Sequence, residues 1–206
     1  MPKHKNHLSR TYDLETVEDT QKLYSDWAVT YDAEVLDNGY ITPERCSNAL
    51  ADFAPNLDIS LLDIGCGTGL SGKILSARGF TSIDGCDINN EMLKVAKTRG
   101  IYKQLWLSDI DDPFPFENGT YDAISAIGVI GAGAAPFEVF YAVLQKLGSG
   151  GLFVFSFNDH TLEDPSYEEA IERQIKNGNF ELLFKEYGDH LPGRNIKANV
   201  YVLKKI

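Results

Sequence analysis

A short apolar segment that runs directly into a glycine-rich loop constrains the fold of this 206-residue chain most strongly. Residues 60–64 (SLLDI) are typical of a buried strand, and Gly65, Gly67 and Gly69 follow at alternate positions before a helical pattern begins. Glycines there allow positive φ angles and let a ligand lie against the backbone. The first free amides of the next helix can bind an acidic group. The segment therefore predicts a strand–loop–helix unit that holds a nucleotide-like ligand.

Strands and helices alternate through the rest of the central region. We expect strands over residues 60–64, 82–87, 103–108, 121–127 and 151–157, and helices over residues 70–78, 89–99 and 136–147. Such alternation is typical of a parallel sheet that is covered on both faces. Two further strands, 180–187 and 198–204, follow a helix over residues 167–177 without a helix between them, which predicts an antiparallel addition at the sheet edge.

Two helical segments precede the sheet, over residues 17–31 and 43–53, and we expect them to cap its carboxyl edge, where ligands bind in open α/β sheets. The predicted fold class is therefore α/β, a mostly parallel seven-stranded sheet with an antiparallel edge strand and N-terminal cap helices. We expect a flexible N-terminus and cap helices over residues 1–55 and the cofactor-binding domain over residues 56–206, together forming one structural domain.

Composition restricts the partners that we expect. The chain has 30 acidic and 19 basic residues, a net charge of −11, which predicts no direct binding to nucleic acid or to an anionic membrane. No uncharged stretch approaches the roughly 20 apolar residues of a membrane span, and the N-terminus lacks the apolar core of a secretory signal. Three cysteines without a CxxC pair favour a reduced, cytoplasmic, metal-free protein. Nothing in the sequence indicates an oligomeric state.

Carboxylates follow each of the first three strands of the predicted sheet. Asp87 ends the second strand, where a carboxylate can accept both hydroxyls of a ribose. Asp109 closes the third strand, within reach of the exocyclic amine of a base, and Asp63 ends the first strand beside the glycine loop. These three acids suit a ligand that carries hydroxyls, an amine and positive charge.

Three motifs together resemble the class I S-adenosylmethionine-dependent methyltransferases. They are DIGCGTG (residues 63–69), CDIN (86–89) and SDIDDPFPFENGTYDAI (108–124). The resemblance covers about residues 60–157 and implies a Rossmann-like methyltransferase sandwich with S-adenosyl-L-methionine as its cofactor. Two flanking segments, DWAVTYDAEV (26–35) and ITPERCSNAL (41–50), are similar to the Williams–Beuren-region methyltransferase-like proteins.

The resemblance also implies roles for individual residues. The glycines of the loop are expected to wrap the methionine portion of the cofactor, Asp87 to bind its ribose, and Asp109 with the Ile110 amide to contact the adenine edge. Trp27 and Tyr31, four residues apart, form either an aromatic core contact or a lid over the cofactor. The full predicted cofactor site comprises Trp27, Tyr31, Asp63, Gly65, Cys66, Gly67, Gly69, Leu70, Asp87, Ile88, Asp109, Ile110 and Ile127.

The same glycines leave two other classes of protein open. Gly67, Gly69 and Gly72 spell GxGxxG, and Asp87 follows Gly67 by twenty residues, as in NAD-dependent oxidoreductases. No Lys or Arg lies in residues 61–72 to offset a pyrophosphate beside Asp63, which favours a sulfonium cofactor instead. A non-catalytic cofactor-binding protein also remains open, because the motif specifies no catalytic base.

The acceptor is less well defined than the cofactor. Because the cofactor supplies the reactivity, a catalytic base is optional. His160, just after the fifth strand, is the candidate base, whereas His190 is placed in a distal loop. Small residues in GAGAAPF (131–137) leave room for an acceptor. The predicted function is methyl transfer from S-adenosyl-L-methionine to an unidentified small molecule.

Overall fold

The computed structural model describes residues 7–8, 16–109, 114–131 and 134–206. Its seven strands are β1 (Ser60–Ile64), β2 (Ser82–Asp87), β3 (Leu105–Leu107), β4 (Ala123–Ala126), β5 (Leu152–Asn158), β6 (Phe180–Leu191) and β7 (Ile196–Lys205). They form one sheet in the order β3-β2-β1-β4-β5-β7-β6, and β1 to β5 run parallel to one another. Strand β7 is antiparallel to both β5 and β6. The predicted fold class is confirmed. Strand β6 forms the edge of the sheet, and β7 lies between β5 and β6.

The helices are α1 (Val17–Trp27), α2 (Tyr31–Asp37), α3 (Thr42–Phe53), α4 (Leu70–Arg78), α5 (Asn90–Thr98), α6 (Glu138–Lys146), α7 (Asp159–Leu162) and α8 (Ser166–Lys176). The side chains of successive residues in β1 lie on opposite faces of the sheet, because side chains alternate along a strand. Leu61 packs with Leu50 of α3, whereas Leu62 packs in the core that contains Phe140 of α6. The sheet is thus buried on both faces, as its apolar strands predict.

The cap differs from the predicted single helix over residues 17–31. That helix ends at Trp27 and a new one begins at Tyr31, with a turn in which the Thr30 amide donates to the Trp27 carbonyl at 2.9 Å. The β-branched pair Val29 and Thr30 disfavours continuation of the helix at this turn. Trp27 and Tyr31 therefore lie on different helices, although their rings remain in edge contact at 4.6 Å.

Strand β6 is longer than its predicted range of residues 180–187. Its pairing with β7 continues to Leu191 opposite Ile196, and a 3-10 turn at Pro192–Arg194 joins the two strands. The expectation that His190 lies in a distal loop is wrong, because the strand carries it back to the sheet. None of the helices in the described ranges is both long and apolar enough to cross a membrane.

Candidate active site

The glycine loop after β1 adopts the left-handed conformations that its sequence predicts. The φ angles of Gly65, Gly67 and Gly69 are +60°, +54° and +81°. A Cβ atom on Gly65 would lie 2.6 Å from both methyl groups of Val129, so packing alone excludes a side chain there. A Cβ on Gly67 would lie more than 4 Å from every atom of the described residues outside its own loop neighbours. Gly67 thus keeps open the space that a ligand against this loop would need.

Asp87 connects the end of β2 to the glycine loop. Its carboxylate accepts hydrogen bonds from the amides of Gly67 and Asn89, each at 2.8 Å. Burial raises the pKa of the Asp87 carboxyl above its usual range, while the amides of Asn89 and Gly67 act in the opposite direction. The acid is thereby held against the loop at the carboxyl edge of the sheet.

A cavity of about 160 Å³ lies beside this loop, at the carboxyl ends of β1, β2 and β4. The predicted site residues on its wall are Tyr31, Gly65, Cys66, Gly67, Leu70, Asp87, Ile88 and Ile127. Their roles toward a cofactor stay predictions, but the fold brings them to one place. The wall also includes residues that the sequence reasoning missed, among them Gln21, Tyr40, Met92 and Phe114. The N-cap Asn89 is a sequence signal for Met92, since it marks the start of the helix whose first turn contains Met92.

Asp63 does not reach this wall. Its carboxylate is buried and accepts hydrogen bonds from the hydroxyls of Ser71, Tyr102 and Ser125 at 2.6, 2.8 and 2.9 Å. Burial raises the pKa of Asp63, and these three hydroxyls act against that shift. The side chain therefore belongs to an internal hydrogen-bond network beneath the loop. Its role toward the positive charge of a cofactor stays a prediction.

Tyr102 also explains the third glycine of the GxGxxG pattern. A Cβ on Gly72 would lie 2.2 Å from the Tyr102 hydroxyl oxygen, and one on Gly85 would lie 2.8 Å from its ring. Both glycines therefore make room for the tyrosine that donates to Asp63. The dinucleotide-like spacing has a packing cause that involves no pyrophosphate.

Four other predicted site residues lie outside this cavity. Gly69 caps the start of α4, and Asp109 is exposed beside the cavity-lining Ser108. His160 is 39% exposed in α7, with its Nδ1 3.7 Å from Glu163, and lines neither cavity described here. The fourth, Trp27, belongs to a second cavity. Ile110, which was also predicted, lies outside the described residues.

This second cavity adjoins the first at Tyr31, Tyr40 and Gly128, which line both. Trp27 of α1 lines it and is fully buried, so the structure places this side chain away from the glycine loop. His190 of β6 lines the same cavity. The walls of this cavity, as far as the structure describes them, contain no Asp, Glu, Lys or Arg.

Polar contacts join the cap helices α1 and α2 to the loops that line the first cavity. Asp32 of α2 accepts a hydrogen bond from the Thr68 hydroxyl at 2.5 Å and forms an ion pair with Arg99. Arg99 in turn donates to the Thr68 carbonyl at 2.6 Å. From α1, the Gln21 side-chain amide donates to the Ile88 carbonyl at 3.3 Å. The cap helices thus contact the same loops that line the cavity.

Comparison with known proteins identifies the class of enzyme. A family model described as a methyltransferase domain matches residues 39–197. This range includes the glycine loop and the strand residues that line the two cavities. The chain belongs to this methyltransferase family. This confirms the predicted family, the S-adenosylmethionine-dependent methyltransferases, in place of the NAD-dependent oxidoreductases.

Relatives of this methyltransferase agree with that assignment. It is 32% identical over 160 residues to methyltransferase-like protein 27 of Homo sapiens, covering 75% of this chain and 64% of the relative. It is 44% identical over 87 residues to a probable 18S rRNA (guanine-N(7))-methyltransferase of Dictyostelium discoideum, covering 42% of this chain and 30% of the relative. A solved S-adenosylmethionine-dependent methyltransferase of Methanosarcina mazei has the same fold, with a TM-score of 0.61, 16% identity, and coverage of 76% of this chain and 96% of that one. The chain spans less than two thirds of the length of these two curated relatives.

The predicted acceptor and partners are corrected by these findings. Several relatives, the Dictyostelium protein among them, are named as methyltransferases of 18S rRNA guanine. The predictions of a small-molecule acceptor and of no nucleic-acid partner are therefore wrong. Net charge was a poor guide because it averages over the whole chain and does not describe any single surface or pocket.

Proposed function

We propose that this methyltransferase transfers the methyl group of S-adenosyl-L-methionine to N7 of a guanine in RNA. The observation that carries the proposal is the pair of adjoining cavities that meet at Gly128 and Tyr40. One lies on the glycine loop and suits the cofactor, and the other is uncharged and aromatic and suits a base. The names of the relatives supply the class of acceptor.

The residues of the first cavity fit the cofactor. When bound, S-adenosyl-L-methionine supplies an electrophilic methyl group on a sulfonium sulfur. Gly67 leaves open the space that the cofactor would fill, and Asp87 supplies a carboxylate for the ribose hydroxyls. Ile88 and Met92 supply apolar surface for a base ring. Tyr40 and Gly128 lie where the acceptor would approach the methyl group.

The chemistry of guanine N7 suits the second cavity. This nitrogen attacks with an in-plane lone pair and carries no proton, so its methylation requires no general base. The described wall offers no carboxylate, and burial lowers the pKa of its one imidazole, His190, to about 4. The reaction would then depend on the alignment of the acceptor nitrogen with the methyl group and the sulfur. Such alignment can contribute roughly 7–11 kcal/mol in favourable cases.

The acidic composition predicts how RNA binds. A chain with a net charge of −11 neutralises few phosphates, so few counterions are released when RNA binds. We expect the affinity of the isolated chain for RNA to be low and to change little with salt concentration. Recognition of the base would then supply more of the affinity than contact with the backbone.

The test is a product analysis. The purified chain is incubated with methyl-labelled S-adenosyl-L-methionine and total ribosomal RNA, the RNA is digested to nucleosides, and the methylated nucleoside is identified by mass spectrometry. We expect labelled 7-methylguanosine, which Asp87→Ala abolishes and Asp84→Asn, three residues earlier on the same strand, leaves unchanged. Label on another atom, or none in RNA, would contradict the proposal.

A further inference from the structure

The second cavity contains an imidazole whose two nitrogens have different surroundings. His190 Nδ1 lies 2.8 Å from the hydroxyl oxygen of Thr42, which is fully buried at the start of α3. Within the described part of the chain, no hydrogen bond is formed by His190 Nε2. The ring is itself 6% exposed and is held in edge contact with Tyr40 at 5.2 Å. Nδ1 is thus hydrogen-bonded within the protein, whereas Nε2 is available to a ligand.

The cavity around this imidazole has a volume of about 60 Å³ and a wall of uncharged side chains. Half-buried Tyr31 contributes aromatic surface to this wall, and aromatic side chains stack on nucleic-acid bases. The fully buried indole N–H of Trp27 has no hydrogen-bond partner among the residues that the structure describes. An unpaired buried donor costs about 1–3 kcal/mol, which a ligand with an acceptor atom could recover.

The contact between Thr42 and His190 can select a tautomer of the ring. If the Thr42 hydroxyl donates to Nδ1, the proton of the neutral imidazole resides on Nε2, which then acts as a donor. Burial keeps the ring neutral, with a pKa of about 4, so the selection holds at neutral pH. A donor at this position matches O6 of guanine and opposes the amino group of adenine.

We propose that His190 is the specificity-determining residue of the second cavity, where its Nε2–H donates to O6 of the acceptor guanine and excludes adenine. Thr42 is the positioning residue that sets the tautomer. This inference rests on the proposed function, because it assumes that the acceptor is a purine. With O6 engaged by the protein, N7 beside it stays free to attack the methyl group. His190 takes no part in the methyl transfer itself, because it neither gains nor loses a proton.

The two amide substitutions of His190 separate its nitrogens. The amide of His190→Gln reaches the position of Nε2, whereas that of His190→Asn reaches only the position of Nδ1. Thr42→Val removes the hydroxyl and keeps the shape of the side chain. A specificity role predicts that Gln preserves discrimination better than Asn. A purely structural role, through the contact with Thr42, predicts the opposite order.

The binding experiment uses guanosine and adenosine 5′-monophosphates as probes. Trp106→Phe removes the other tryptophan of the chain, so that fluorescence reports on Trp27 in the cavity. In this background we expect guanosine monophosphate to bind roughly tenfold more tightly than adenosine monophosphate, a typical value for one matched base contact. His190→Asn and Thr42→Val should lose the preference, while His190→Gln retains part of it. All variants should bind S-adenosyl-L-methionine with unchanged affinity.

The methylation assay supplies a second, independent measurement. With ribosomal RNA as acceptor, His190→Asn should raise KM about tenfold with little change in kcat. An unchanged nucleotide preference in folded His190→Asn, or no response of Trp27 to either nucleotide up to about 10 mM, overturns the inference. If the preference depends on His190 but no RNA is methylated, the inference stands and the proposed function fails.

Discussion

The hydroxyl of Tyr40 lies directly against the α-carbon of Gly128, at the point where the two cavities meet. A Cβ atom on Gly128 would be 2.5 Å from the Tyr40 hydroxyl oxygen and 3.6 Å from the ring carbon that bears it. Burial raises the pKa of Tyr40 well above its ordinary value, so the hydroxyl stays protonated. Any side chain on Gly128 would therefore displace this hydroxyl from the junction.

We predict that Gly128→Ala reduces methyl transfer and stability more than its backbone conformation alone explains. The matched control is Gly100→Ala, because Gly100 has a similar φ of +63° and an added Cβ would contact none of the described residues within 4 Å. In both variants, an alanine in the left-handed backbone conformation lowers the free energy of unfolding by about 1–2 kcal/mol. The additional loss in Gly128→Ala should disappear in combination with Tyr40→Phe, measured as a double-mutant cycle of thermal unfolding. A cycle that is strictly additive would contradict the proposed contact.

Asp87→Asn should weaken cofactor binding by about 1–3 kcal/mol, because the carboxylate gives charged hydrogen bonds that an amide cannot replace. The amides of Gly67 and Asn89 would each face a weaker acceptor. Titration calorimetry with S-adenosyl-L-methionine measures the change. Asp84→Asn is the control, since Asp84 on the same strand accepts from Gln104 and Tyr121 instead. Equal affinities for the two variants would place the ribose contact elsewhere.

Asp32→Asn should loosen the cap. The change removes the negative charge that faces Arg99 and weakens the acceptor of the Thr68 hydroxyl. We expect faster hydrogen exchange over residues 17–37 and cofactor affinity lowered by about 1–3 kcal/mol. Asp37→Asn, at the exposed end of the same helix, should change neither. Exchange rates that match the wild type would show that Asp32 does not hold the cap.

His190 should make folding stability fall at acid pH. Burial depresses the pKa of the folded imidazole from 6.5 to about 4, with Arg45 and His160 acting in the same direction and Asp159 against it. The unfolded chain therefore binds the proton first, so this stability is complete above pH 6.5 and is lost as the pH falls towards 4. The loss reaches about 3 kcal/mol. Unfolding of wild type and His190→Gln between pH 4 and 7 measures it, and parallel curves would contradict the shift.

His160→Ala should keep methyl transfer within about twofold of the wild type across neutral pH, since surface changes away from a site have small effects. The side chain is exposed in α7 and lines neither cavity. A large loss of kcat that recovers at high pH would restore the general-base role that its place after β5 suggests.

Local patterns in the sequence were sufficient to predict much of the fold. The bounds of β1, α4 and β2 agree with the predicted ranges, because an apolar run, a helical period and flanking glycines are all short-range signals. The glycine loop was predictable for the same reason, since its positive φ angles depend on the glycines themselves. Where the signal weakened, at the three-residue strand β3, the predicted range was too long.

Contacts between distant residues could not be predicted in this way. The sequence by itself determined the parallel sheet, the glycine loop and the class of enzyme, because each depends on residue types at close spacing. Tertiary structure decided that Asp63 accepts from Tyr102, that Trp27 lines the second cavity, and that His190 lies beside Thr42. The residues of the last pair are 148 positions apart, and only the pairing of β6 with β7 brings that histidine to the sheet. Side-chain partners across such separations depend on the whole packed chain, so no local pattern specifies them.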